Sequence, residues 1–115
     1  MSGIQDPAVY REACKVFGED GARAWLQLFR RDLAEHLAEI AQGRPTRATI
    51  QDIAHRTAGR AGFLGFRALA EASATLDGAL RRGAGVAPAL DRWIVQARRA
   101  SEIPPGAPDA PPLPE

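Results

Sequence analysis

From Leu26 to Ile40 apolar side chains return every three or four residues, at Leu26, Phe29, Leu33, Leu37 and Ile40, and no run in the chain alternates with period two. That spacing makes a stripe along a helix and no face on a strand. Alanine adds to the bias: it supplies about one residue in five, while β-branched residues are few, and both features favour helix. At 115 residues the chain holds one domain with one modest core. The expected fold class is all-α.

Glycine, proline and cap residues divide the helical stretches. Asp6 as N-cap with Pro7 in the first turn opens a short helix to about Phe17, where Gly18 interrupts it; Tyr10, Cys14 and Phe17 make its inward face. Asp20 then caps a second helix that runs to Gln42 and stops at Gly43 and Pro45. A third opens in PTRATIQD, with Thr46 or Thr49 as N-cap and Thr49-x-x-Asp52 as a loose capping box. Its inward stripe is Ile50, Ile53, Ala54, Thr57 and Ala61, and it fades near the glycines of GFLGF. The fourth starts near Phe66, turns Leu69, Ala72, Leu76 and Leu80 inward, and ends at Gly83 and Gly85. A last helix spans about Pro88 to Ser101, with Leu90, Ile94 and Ala97 facing in and Trp93 beside them. After Ile103 the chain reads PPGAPDAPPLPE, too rich in proline and too poor in apolar side chains to pack. Together these predict an antiparallel up-down four-helix bundle over residues 1–103, capped at one end by the short first helix and followed by a disordered Pro-rich tail at 104–115.

Several function classes fall away on composition. A formal charge of +1 is too small for the electrostatic attraction on which nucleic-acid binding rests. Cys14 is the only cysteine, which excludes an intrachain disulfide and a cysteine-based metal site and fits a reducing compartment. No stretch approaches the apolar length of a membrane span, and the start MSGIQDPAVYREACK has neither the basic opening nor the apolar run of a signal peptide. A complete cytoplasmic protein is the expectation.

The informative segment is IQDIAHRTAGRAGFLGF. His55 follows the apolar pair Ile53 and Ala54 and points about 150° away from their mean direction at 100° per residue, so it faces solvent. Gln51 and Asp52 lie one turn before it, Ala58 and Gly59 one turn after, and Gly62 two turns after. Every side chain that could shield the imidazole from that side is therefore a methyl group or nothing. Glycine inside a helix costs roughly 1 kcal/mol relative to alanine, so something offsets that cost at Gly59 and Gly62. Either the two glycines open the histidine to another protein's active site, or they mark a helix end or a close approach of a neighbouring helix.

Other candidates carry less. His36, in DLAEHLAEI, has no small residues clearing its face and reads as a surface histidine beside Glu35 and Glu39. Two histidines without a His-Glu-x-x-His spacing make no zinc site. GRAGFLG follows a helix instead of a strand and no GKS or GKT occurs, so it is not a phosphate loop and the chain has no ATP site. The pairs Arg30-Arg31, Arg81-Arg82 and Arg98-Arg99 read as solvated helix faces, and Trp25 and Trp93 as core or core-edge residues.

AHRTAGRAGFLGFRALAEASATLD resembles the core motif of histidine phosphotransfer (Hpt) domains of bacterial multistep phosphorelays. In that family an alanine or similar residue precedes the phosphorylated histidine; two variable positions, often a lysine, and a glycine follow; then come further small, apolar and glycine positions and a leucine-bearing helix with a closing acidic residue. His55 matches the phosphoacceptor, Gly59 the glycine four residues on, Gly62 and Gly65 the later glycines, Leu64 the apolar position, and Leu69, Leu76 and Asp77 the following helix. Two positions depart: Ala58 stands where lysine is frequent, and Thr57 replaces a larger aliphatic residue.

The resemblance implies a phosphoryl carrier and not an enzyme. His55 would accept a phosphoryl group from a receiver-domain aspartyl phosphate and pass it to another receiver; an exposed imidazole, with a reference pKa of about 6.5, is mostly neutral and nucleophilic at pH 7. Arg56 and Arg60 are then the cations expected near the phosphate in place of lysine, and Gln51 a candidate to fix the ring. Ala58, Gly59, Gly62 and Gly65 would be the docking and access positions. The implied partners are receiver domains of a hybrid sensor kinase and a response regulator, with no nucleic acid or membrane, and a monomeric state. No cofactor or metal is expected on the chain, and Mg²⁺ is expected on the partner receiver. The alternative is a helical adaptor that binds a receiver or kinase without being phosphorylated.

Overall fold

The computed structural model describes residues 4–102; the proline-rich tail read from the sequence lies outside the described residues. Four helices carry the fold: α1 Pro7–Ala41, α2 Arg47–Leu64, α3 Arg67–Arg82 and α4 Val86–Glu102, with no strand among the described residues. Connections at residues 42–46, 65–66 and 83–85 are too short for anything but antiparallel neighbours. Each helix packs on its chain neighbours and α4 closes the ring on α1, which is the expected up-down bundle.

The short first helix and the long second one are two limbs of α1. Asp6 caps the first, its side chain accepting from the Ala8 N–H at 2.9 Å, with Pro7 at the start. Gly18 then takes φ 79°, ψ 162°, a conformation nearly closed to residues with a side chain, and the helix resumes at once with a changed phase. The predicted inward face of the first limb holds only in part. Tyr10 and Ala13 are buried and Cys14 is half-buried, but Phe17, the last residue before the break, lies on the surface. Asp20 caps nothing and instead accepts from the Arg23 guanidinium at 2.8 Å. Beyond the kink Ala22, Leu26, Phe29 and Leu33 are buried, and Leu37 and Ile40 are half-buried as the bundle thins.

The first limb caps the α2–α3 end of the bundle. There the Asp6 N–H donates to the Gly65 carbonyl and the buried Gln5 side-chain amide donates to the Leu64 carbonyl, both at 2.8 Å. Thr46 is the N-cap of α2, accepting from the Thr49 N–H at 3.1 Å. The Thr49–Asp52 box does not form, because Asp52 turns to Arg56 at 3.0 Å. Ile53, Ala54, Thr57, Ala61 and Leu64 of α2 meet Leu69, Ala72, Ser73, Leu76 and Ala79 of α3 in the core, with Ile50 and Leu80 at its edge.

In α4 the predicted face is rotated. Trp93 is fully buried at its centre, with Ala89, Ala97 and Ala100 around it, whereas Leu90 and Ile94 are only half-buried. Small alanines leave room for the indole, and its N–H donates to Ser73 Oγ at 2.8 Å. A buried indole needs such a partner. Trp25, by contrast, is exposed. No helix of the described residues is long and apolar enough to cross a membrane.

Candidate functional site

His55 stands in the middle of α2, held by the core contacts of Ile53, Ala54 and Thr57 with its own side chain 68% exposed. Its Nδ1 lies 3.4 Å from Asp77 Oδ2 on α3, and the other oxygen of that carboxylate takes the Arg81 Nε–H at 3.1 Å. Burial pushes the Asp77 carboxyl up. The hydrogen bonds from Arg81 and His55, the Arg81 charge and the Gln51 amide outweigh that and hold it below the usual carboxylate range. Asp77 is therefore ionised at neutral pH, and a carboxylate only accepts. The contact therefore needs a proton on Nδ1 of His55, which in the neutral ring leaves the Nε2 lone pair free.

The surface beyond the imidazole is bare. A Cβ built at Gly59 would meet nothing within 4 Å, and one at Gly62 only the Ala70 methyl at 3.9 Å, an ordinary contact. Neither glycine has a positive φ, and Gly59 stands more than a turn inside the helix end at Leu64. Helix termination and close packing therefore do not account for Gly59, which stands on an open face. Gly65 is different and corrects its expected access role. It is buried, takes φ 97° as the C-cap of α2, and its Cβ would lie 2.7 Å from the Asp6 carbonyl oxygen. Its place is under the N-terminal limb, not under a partner. Ala58 is half-buried beside the open face.

The residues expected near the phosphate separate. Gln51 is half-buried one turn before His55 and helps to hold the Asp77 carboxyl low. Arg56 pairs with Asp52 on the exposed surface of α2. Arg60, expected beside Arg56 at the phosphate, instead reaches Asp32 on α1 at 3.2 Å. Five residues past His55 it projects about 140° around the helix, toward the neighbour on the opposite side from Asp77. The arginine that shares a carboxylate with His55 is Arg81, read from the sequence as part of a solvated face. His36 is half-buried on α1, its Nδ1 3.8 Å from Glu39, and stands apart from this group.

The Hpt domain family matches residues 24–100, from the second limb of α1 to the last turn of α4. The chain belongs to the Hpt family, whose members are phosphocarrier modules, not kinases, that serve histidine phosphotransfer in phosphorelays and interact with receiver domains. Comparison with curated proteins and with solved structures gives no match.

Proposed function

We propose that His55 is the phosphoacceptor and that the chain shuttles phosphoryl groups between a hybrid-kinase receiver and a response-regulator receiver. The observation that carries this reading is an exposed mid-helix imidazole with Nδ1 turned to a carboxylate and the surface beside it left bare by Gly59. In the forward step Nε2 attacks the phosphorus of an aspartyl phosphate. The N–P bond forms, the acyl P–O bond breaks, and the receiver's aspartate leaves as a carboxylate. The Nδ1 proton stays on the ring, where Asp77 stabilises the positive charge that the imidazole gains. In the onward step a second receiver's carboxylate attacks the same phosphorus and Nε2 leaves with its lone pair.

The receiver supplies the acyl phosphate and the Mg²⁺ that neutralises charge on the transferred group; this chain supplies position, an open face and a nearby guanidinium. Arg81 takes the part expected of Arg60, because it already lies against the carboxylate that holds His55. Arg56 remains a candidate for the phosphate, since an exposed ion pair with Asp52 is worth at most about 1 kcal/mol and releases easily. A cytoplasmic, monomeric protein belongs with this reading.

The test is phosphoryl labelling from a phosphorylated receiver. His55→Gln is expected to keep the helical circular dichroism of the wild type and to lose all acid-labile, base-stable label. Label that persists in His55→Gln and vanishes in His36→Gln sinks the assignment. A wild type that binds receivers and takes no label is an adaptor instead.

A further inference from the structure

The up-down topology brings the connections at 42–46 and 83–85 to one end of the bundle. Arginine is concentrated there. Arg44 lies in the first connection, Arg47 is the first residue of α2, Arg81 and Arg82 are the last two of α3, and all four are exposed. No aspartate or glutamate occurs in residues 40–51 or 78–90. Arg81 turns to Asp77, whereas Arg44, Arg47 and Arg82 enter no ion pair among the described residues. Arg82 lies back over Gly78, where a Cβ would come within 3.0 Å of its Nη1, and no acid holds it there. The whole chain carries a formal charge of +1, so four positive charges at this end leave −3 for everything else. The molecule has a basic tip on a net acidic body.

We propose that this end binds the surface of an anionic phospholipid membrane. The bundle measures 45 × 26 × 23 Å, while the field of an exposed charge fades over about 10 Å at 0.1 M salt. A chain standing on its basic end therefore meets a flat anionic surface with its arginines and keeps most of the acidic body out of range. A polyanion lying along the bundle would meet both. The side chains set among the arginines are small or apolar, Pro45, Ala84, Ala87 and Pro88, and these two segments contain no aromatic residue. The end thus has neither the stacking platforms of a single-strand nucleic-acid site nor the aromatic anchors of a protein interface.

This departs from the expectation of no membrane partner, which rested on the lack of a spanning segment; contact by charge needs none. It is also compatible with an open histidine. His55 lies eight residues beyond Arg47, about 12 Å along α2, and Gly59 and Gly62 lie farther still. An upright chain keeps the imidazole clear of the lipid and facing along the surface.

The test is sedimentation of the full chain with vesicles of phosphatidylglycerol mixed with phosphatidylcholine, and with vesicles of phosphatidylcholine alone. Wild type is expected to bind the mixed vesicles at low salt, to leave them as salt rises, and to ignore the neutral ones. Each basic residue near an anionic surface adds about fivefold to partitioning, so the triple variant Arg44→Gln, Arg47→Gln, Arg82→Gln is expected to lose roughly 100-fold. The triple variant Arg11→Gln, Arg98→Gln, Arg99→Gln has the same net charge but is altered at the far end, and is expected to stay within threefold of wild type. So is Arg44→Lys, Arg47→Lys, Arg82→Lys, which keeps the charge. All three are matched to wild type by unfolding midpoint.

No binding of wild type to the mixed vesicles overturns the proposal, as does equal binding to the neutral ones. An equal loss in the far-end triple assigns binding to net charge and not to this end. Release by inorganic phosphate, at an ionic strength where sodium chloride does not release, assigns the arginines to a soluble phosphate. Tighter binding to a DNA duplex, lost in the first triple, assigns them to nucleic acid. Labelling of His55 enters none of these measurements, so the proposal stands or falls apart from the reading of that residue.

Discussion

At the scale of single residues, the site depends on a side chain 22 positions from the histidine. The bond from Nδ1–H to an ionised acceptor is worth more than the same bond to a neutral amide by about 1 kcal/mol, so Asp77→Asn is expected to slow transfer five- to tenfold at pH 7. Arg81→Ala, which removes the nearest cation from that carboxylate, is expected to slow it by one to two orders of magnitude, most steeply at low salt where screening is weakest. Arg60→Ala should leave the rate unchanged and act on stability alone, because its partner is Asp32. Stopped-flow transfer from one charged receiver at two salt concentrations checks all three.

Asp77 also carries a pH signature. Its carboxyl titrates below its ordinary value of 3.8 in the folded chain, so its contribution to stability is complete above that pH and is lost as pH falls toward the folded value. Between pH 5 and pH 2 the unfolding midpoint of the wild type should fall more steeply than that of Asp77→Asn. Gly59 carries the opposite kind of prediction. Leucine there has open space and better helix propensity by roughly 0.8 kcal/mol, so Gly59→Leu should melt no lower than wild type and transfer far more slowly. Normal transfer in that variant would remove the access role. His55 and Gly59 were legible in the sequence because their relation is local, a matter of angles on one helix. Asp77 was visible only as the closing acid of a motif, and its contact with His55 needs the packing of α3 against α2.

Among the elements, periodicity located every helix, and the errors are errors of phase. The first is in the opening limb: the break at Gly18 falls where the sequence puts it, but Phe17, at the end of that limb, turns its ring to Trp25 and Phe63 at the surface instead of joining Tyr10 and Cys14. The second concerns α4, where stripes through Leu90 and through Trp93 are both apolar and only the partner helix decides between them. Ser73 decides it, a hydroxyl on α3 placed to receive the indole N–H. Ser73→Ala should therefore orphan a fully buried donor and cost about 1 to 3 kcal/mol. Adding Trp93→Phe should recover part of that loss, since the orphaned N–H goes with it. Urea unfolding of the two single variants and the double variant reads the coupling. Additive losses would show that the bond does not fix the phase of α4.

For the whole molecule, the ring of four helices is complete without the proline-rich end. The core closes through Ala100, the last buried residue of α4 among the described residues, and the family match ends at the same residue. The sequence after Ile103 has few apolar side chains to set against an ordering cost of roughly 1 to 2 kcal/mol per residue. Nor does the proposed chemistry call on it, since His55, Asp77 and Arg81 all stand on α2 and α3. Deleting the chain after Ile103 is therefore expected to leave the thermal midpoint and the KM and rate of receiver-dependent labelling unchanged. Calorimetry and the labelling assay check the two independently. A lower midpoint would mean that the tail packs on the bundle. A slower rate at an unchanged midpoint would mean that it contacts the partner.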